Sequence, residues 1–458
     1  MRAHFPLVPH GLDLSLGSAE GLDDAYVDKF ARLIERIDPP WWSEHLCFTR
    51  AGGIAIGHLA ALPQSRAALD AVARNVDMLR KKIKAPLILE NVTTVVAVPG
   101  AEMDEAEFLT RALERTGCGW LCDVANLHAN AVNHGADVEA GFDRWPWQRV
   151  VQIHFAGGRW RGEVLIDSHD SATSEAVWAL FARVAAVAPI KGAILERDEK
   201  IPSFGELLGE LERARLLLAA RHDQGPHPEK PRSGVSKGAR RIGAAESFTS
   251  APRVWPSLET APSKPPRDEV GGNGRDVDGV PAGEPQDLAA TQNLLARLFT
   301  DAGFRDAFFA SDGETFAALD RRSLSLFADS LISKRLADAR KTLPWTAKAL
   351  GRDFAALLRP LLAGPAPAGR HRADARRLLA RLEEKPAPAP QWIADLARYE
   401  QACVEAATPG FVCKLQRFRW PPARLALAAR QGSDPGPRKT SFALWFRPPN
   451  GALRHFLI

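Results

Sequence analysis

Six apolar runs in the first half of this chain each close on side chains able to bind a metal ion. His10 closes "PLVPH", Glu44 and His45 close "WWSEH", and Glu90 with Asn91 closes "LILEN". Asp123 and Asn126 close "LCDVAN", His154 closes "VQIH", and Glu196 closes "AILE". Asp167 and His169 follow in "LIDSHD", two residues apart, which in an extended segment puts both on one side. A single polar residue at such a position reads as a cap for the next helix or as a satisfied core group. Six in succession are hard to explain separately, because each uncompensated buried polar group costs about 1–3 kcal/mol. A shared metal centre satisfies them together. Imidazoles and carboxylates without a thiolate suit iron, manganese or zinc, since alternation turns Cys122 away from Asp123. Eight candidate ligands are too many for one ion, so two or three are expected.

The elements that would bring these residues together are legible in the patterning. Between the apolar runs lie amphipathic stretches such as "LDDAYVDKFARLIERI", in which Tyr26, Phe30, Leu33 and Ile34 share a helical face. Strands alternating with helices predict βα units on a parallel sheet. Near-continuously apolar strands, and the lack of a G-x-G-x-x-G turn, favour a TIM-type (β/α) barrel over an open doubly wound sheet. In such a barrel all strand carboxyl ends open on one face, where residues distant in sequence converge.

Residues 222–285 are crowded with Pro, Gly, Ser and charge and read as a disordered linker. They separate a barrel domain, 1–221, from a mainly helical domain, 286–458, that ends in a β-hairpin signalled by Asn450-Gly451. The charge is divided in the same way. Residues 1–220 carry 23 Lys+Arg against 30 Asp+Glu, whereas 286–458 carry 27 against 16, so the second domain is expected to face something acidic. Five cysteines, odd in number and without zinc-finger spacing, argue against a disulfide framework. No apolar run is long enough to cross a bilayer, and the first residues lack a signal-peptide pattern. The expectation is a cytoplasmic protein with no membrane partner and, for want of a recognisable motif, no nucleic acid.

In order, "VPHGLDLSLGS", "WWSEHLCF", "LILENV", "LCDVANLHANAVNHG", "QIHFAGG", "IDSHD" and "LERDEKIPSF" resemble the motifs of the multinuclear non-heme iron-dependent oxidases, domain of unknown function family 692. The resemblance runs from residue 4 to about 220. It implies a TIM barrel with two or three irons, a mixed-valent pair among them, and dioxygen as co-substrate. It also implies modification of cysteines in ribosomally made precursor peptides. Motif by motif, the family's ligands fall on His10, His45, Glu90, Asp123 or Asn126, His154, Asp167, His169 and Glu196. Glu90 would bridge two ions, with His10 and His45 on one side and His154 and Glu196 on the other, while Asp167 and His169 hold a third. His58 and Asn91 would orient ligands or meet substrate. No side chain is assigned as a catalytic acid or base.

Two features depart from that pattern. The family usually has a strand and helix ahead of the "PLVPHG" run, so either the barrel lacks its first strand or the start codon is misassigned. The family also commonly places a histidine where Gly158 stands. Residues 286–458 resemble, through "DSLISKRLADARKTLPWTAKALG" and "HRADARRLLARL", the separate partner proteins of some of these oxidases. That implies a tethered module for a cysteine-containing precursor peptide, with the Arg-rich "SKRLADARK" facing an acidic leader. The alternative reading is a zinc or manganese hydrolase or isomerase on the same barrel.

Overall fold

The computed structural model describes residues 6–136, 138, 141–223, 287–311, 319–366, 370–384, 389–408, 410–449 and 451–458. The expected linker from residue 224 to 285, and Asn450 of the expected turn, lie outside the described residues. Contacts group the described chain into two units. The first holds residues up to Phe48, then Leu59 to Asp223 and 287–289; the second holds Thr49–His58 and residues 290–458.

The first unit is built on five parallel strands: β1 (Trp42–His45), β4 (Leu87–Glu90), β5 (Gly119–Asp123), β6 (Val150–Phe155) and β9 (Gly192–Leu195), adjacent in that order. Ahead of β1, His10 makes an isolated parallel bridge to Ser43, so the "PLVPH" run supplies a sixth position without becoming a full strand. The result is a partial TIM-like barrel. Helices α1 (Asp24–Ile37), α2 (Arg66–Lys82), α3 (Glu105–Thr116), α4 (Val124–His134), α5 (Glu175–Val187) and α6 (Phe204–Asp223) complete the βα pattern. Their starts follow capping chemistry: Asp23, Ser65, Asp104, Asp123 and Ser174 each accept a hydrogen bond from a first-turn N–H. Helix α1 buries Val27, Phe30 and Ile34, a face rotated slightly from the expected one, with Val27 in place of Tyr26 and Leu33.

Two antiparallel pairs interrupt the alternation. β2 (Cys47–Ala51) pairs with β3 (Ile54–Ala61), and β7 (Gly157–Arg161) pairs with β8 (Val164–Ser171). The second pair explains how Asp167 and His169 return to the carboxyl ends of the parallel strands. Gly157 permits the entry: a Cβ there would lie 2.2 Å from the Ala172 carbonyl oxygen.

In the second unit, α9 (Arg321–Thr342), α10 (Pro344–Leu350), α11 (Asp353–Leu358), α12 (Arg370–Leu382) and α13 (Gln391–Ala407) enclose a core that includes Leu336, Leu343, Phe354, Leu378 and Ile393. Two further helices, α7 (Leu288–Thr300) and α8 (Ala302–Ser311), precede them. The terminal β-structure extends beyond a hairpin. β10 (Val412–Phe418), β11 (Ser441–Arg447) and β12 (Arg454–Leu457) form a three-stranded antiparallel sheet, with α14 (Pro422–Gln431) between the first two. Arg335, within the basic stretch expected to meet an acidic leader, points inward instead. Its guanidinium forks onto the fully buried Asp374 at 2.6 and 2.8 Å and also donates to the Leu362 and Gly364 carbonyls. It is a structural ion pair.

Candidate metal centre

Strand register assembles the site. His45 stands beside Glu90 in the β1–β4 pair, and Asp123 beside His154 in the β5–β6 pair, all at strand carboxyl ends. Glu196 follows β9 directly, and His10 flanks β1. Four imidazoles (His10, His45, His154, His169) and four carboxylates (Glu90, Asp123, Asp167, Glu196) face one another.

Glu90 is the hub. Its Oε2 lies 3.3 Å from His10 Nε2 and 3.3 Å from His45 Nε2, and its Oε1 lies 3.2 Å from His154 Nδ1. Glu196 Oε1 is 3.0 Å from the same Nδ1, and Glu196 Oε2 is 3.4 Å from His169 Nδ1. His169 Nε2 and Asp167 Oδ1 are 2.6 Å apart. Four overlapping triads result: His10/His45/Glu90, His10/His154/Glu196, Glu90/Asp123/His154 and Asp123/His169/Glu196.

The donors fit a cation better than they fit each other. Glu90 Oε2, Asp123 Oδ2, His154 Nδ1, Asp167 Oδ1 and His169 Nε2 are buried and, close as they stand to one another, none is aligned as a hydrogen bond requires. Atoms bound at roughly 2.0–2.2 Å to one ion stand about 2.9 Å apart at right angles and about 3.4 Å apart at the tetrahedral angle, close to most of the spacings seen here. Such orphaned atoms call for a counter-charge.

Electrostatics agree. Burial pushes the Asp123 carboxyl well above the usual range, and the charges of Asp167, Glu90 and Glu196 push it further. For His45, burial alone would favour the neutral ring, but Glu90 and Glu44 outweigh it and raise its pKa to about 9. His169 is likewise carried past its burial penalty, chiefly by Asp167, to about 12. Protons here occupy places that a metal ion would take.

The surrounding contacts fix ligand orientation. His45 Nδ1 is 3.1 Å from the Gly11 carbonyl, which can only accept, so that nitrogen carries a hydrogen and Nε2 is the one turned toward Glu90 and available to a metal ion in place of its proton. His10 Nδ1 meets Ser43 Oγ at 2.7 Å. Glu44, closing β1 beside His45, accepts from the Leu14 and His45 amides, and Gly11 is required because a Cβ would sit 2.5 Å from Glu44 Oε2. Asp123 serves twice: Oδ1 caps α4 at Asn126 N, while Oδ2 faces the cluster. Asn126 donates to the Asn91 carbonyl and receives Thr93 Oγ1 on its own oxygen; it stands in none of the four triads. Asn91 braces β5, donating to the Asp123 carbonyl and accepting from Trp120 Nε1 and Asp123 N.

His58 lies in the second unit, its ring 5.9 Å from that of Phe327, and belongs to none of the triads. At Gly158 an added Cβ would meet the Ile166 carbonyl oxygen at 2.8 Å, so this backbone has no room for the histidine common in the resembling family. His169 itself adopts φ 48°, a left-handed conformation that non-glycine residues seldom take, and Asp198 N binds its carbonyl at 3.0 Å. Sequence reading missed Trp41, Ser43 and Gln152. Their signal was period-two spacing from His45 and His154, which puts them on the ligand side of β1 and β6.

Known proteins sharpen the assignment. Residues 1–219 match the profile described as "RiPP precursor modification enzyme MbnB/TglH/ChrH". A UPF0276 protein of Caulobacter vibrioides (strain NA1000 / CB15N) is 37% identical over 220 residues, 48% of this chain and 79% of that protein. One from Rhizorhabdus wittichii is 39% identical over 221 residues, again 48% and 79%. A third, from Streptomyces avermitilis, is 30% identical over 381 residues, 81% of this chain and 76% of that protein. A xylose isomerase domain containing protein from Salmonella typhimurium LT2 superposes with a TM-score of 0.34 at 15% identity, covering 47% of this chain and 76% of that one. With ordered motifs, ligand cluster and relatives in agreement, the chain belongs to the UPF0276 family, that of the MbnB/TglH/ChrH precursor-modification enzymes.

Proposed function

We propose that this protein is an iron- and dioxygen-dependent oxidase that modifies cysteine residues of a ribosomally synthesised precursor peptide. The observation that carries the reading is the set of four overlapping triads, in which His10, Glu90, Asp123, His154 and Glu196 each serve twice, with five buried ligand atoms outside hydrogen-bond geometry, in a chain of this family. Two or three irons would be held by His10, His45, Glu90, Asp123, His154, Asp167, His169 and Glu196. When bound, they supply the Lewis acidity and electron transfer needed to oxidise a cysteine with dioxygen. The protein's own contribution is positional. Glu90 ties one imidazole pair to the opposite ligand group, Asp123 and Asn91 lock the end of β5, and Glu44 and the Gly11 carbonyl aim His45. None of these side chains is assigned as a general base.

We assign residues 1–221 to the oxidase, 222–285 to a linker and 286–458 to a peptide- or partner-binding module that raises the local substrate concentration. Five free cysteines and the lack, among the described residues, of any helix long and apolar enough to cross a membrane support a cytoplasmic setting. The all-nitrogen-and-oxygen donor set also suits zinc or manganese, which keeps a hydrolase or isomerase as the second reading. Anaerobic purification with metal analysis separates the two. The substrate assignment is tested by co-expressing the protein with a short Cys-bearing peptide encoded beside it. A mass change on that peptide that depends on iron and dioxygen is expected; an unchanged peptide with iron-loaded protein refutes it.

A further inference from the structure

Two of the histidines facing Glu90 meet opposite kinds of partner on their outer nitrogens. The Gly11 carbonyl can only accept, so His45 carries its hydrogen on Nδ1 and offers Nε2 to the cluster. His154 offers its other nitrogen: Nδ1 faces Glu90 and Glu196, and Nε2 faces Gln152 Nε2 at 2.9 Å. Which way the Gln152 amide points is settled by Trp41. An indole N–H only donates, and Trp41 Nε1 donates to Gln152 Oε1 at 2.9 Å. The amide is thereby obliged to present its NH2 to His154 Nε2. A cation on Nδ1 would need the ring hydrogen on Nε2, directly against that NH2.

We infer that Trp41 and Gln152 are positioning residues that withhold His154 Nδ1 from metal, so that the His10/His45/Glu90 triad loads first and the triads needing His154 load later and more weakly. This rests on the metal-centre reading above. With an ion at Nδ1 the neutral ring keeps its one hydrogen on Nε2. Gln152 must turn its oxygen toward Nε2, which then sets its NH2 against the Trp41 N–H. Two donors cannot pair, and that conflict weakens the later step. Gln152 and His154 are both buried and lie two residues apart on β6, so neither water nor side-chain drift relieves it easily.

The test is anaerobic Co2+ titration of the full chain, followed by calorimetry and by the visible absorption of bound Co2+. The wild type is expected to show a tight and a weak phase. Trp41→Phe frees the amide to turn, and Gln152→Glu offers acceptors to both neighbours at once. Each should tighten the weak phase by about 10–100-fold, the scale of outer contacts to metal-bound histidines, while leaving the tight phase unchanged. A packing role alone predicts the reverse for Trp41→Phe. The unchanged tight phase and the circular dichroism spectrum serve as folding checks, and the near-isosteric Gln152→Glu decides if Trp41→Phe fails to fold. A single phase in the wild type, or a weak phase unmoved or loosened by Gln152→Glu, overturns the inference. His45→Ala separates the levels: if the wild type binds no Co2+, or His45→Ala leaves all binding intact, the metal reading fails as well.

Discussion

Replacing Glu90 by glutamine tests the architecture of the centre most directly. The side chain is 2% exposed and reaches both halves of the cluster, Oε2 toward His10 and His45 and Oε1 toward His154. Glutamine keeps the shape but has one oxygen and an NH2 that cannot ligate. Whichever way it points, one of the two triads that include Glu90 keeps only two donors. Removing even an outer contact of a metal ligand costs about 10–100-fold in affinity, so losing a direct donor with its charge should cost 100-fold or more, about 2.8 kcal/mol. Glu196→Gln is the internal comparison, because it leaves His10/His45/Glu90 complete. The assay is elemental analysis after anaerobic iron loading and dialysis, with equilibrium titration of the retained metal. Glu90→Gln should lose metal from at least one of its two triads and, with the shared charge gone, hold the other more weakly, whereas Glu196→Gln should leave His10/His45/Glu90 loaded. Wild-type metal content in Glu90→Gln, or equal stripping by the two variants, would refute the hub arrangement.

Other outcomes follow from the same geometry. Metal at a hundred times its dissociation constant should stabilise the protein by about 2.7 kcal/mol, seen as a raised melting temperature that chelation reverses and that Glu90→Ala abolishes. Burial raises the pKa of Glu105 from 4.5 to about 7, opposed in part by its Asn130 hydrogen bond. The native state then binds more protons than the unfolded one between these values, so stability falls as pH rises through that window. The loss is about 3 kcal/mol at most, or about 2 for a half-buried residue; Glu105→Gln should flatten the slope in urea titrations at pH 5 and 8. Arg335→Met leaves the buried Asp374 carboxylate with only the longer 3.5 Å contact from Arg377 and should cost up to about 3–5 kcal/mol by denaturant unfolding, whereas replacing both Arg335 and Asp374 with apolar residues should cost much less. Gly158→His must displace the Ile166 backbone, and should lower the metal affinity of the His169 group more than that of the His45 group in Co2+ titrations.

Much of the first unit was legible because its signals are local. Capping residues, helical periodicity and apolar strands each act over a few residues, and parallel strands must deliver their carboxyl ends to one face. His10, His45, Glu90, Asp123, His154 and Glu196 could therefore be grouped from the chain alone. Asp123 also shows why the choice between cap and ligand had no local answer: one oxygen caps α4 while the other faces the cluster.

What only the tertiary structure decided depends on register and on contacts between distant segments. The β7–β8 pairing carries His169 to Asp123 and Glu196 and bends its backbone to φ 48°. Arg335 turns from an expected docking charge into an inward-facing partner of the buried Asp374, thirty-nine residues away. The Trp41–Gln152–His154 relay spans β1's approach and β6, and nothing in either segment specifies it. Residue types and their spacing determined that a mouth lined with candidate metal ligands would form; long-range packing determined which nitrogen of each imidazole faces it, because a hydrogen bond to one ring nitrogen fixes what the other can bind.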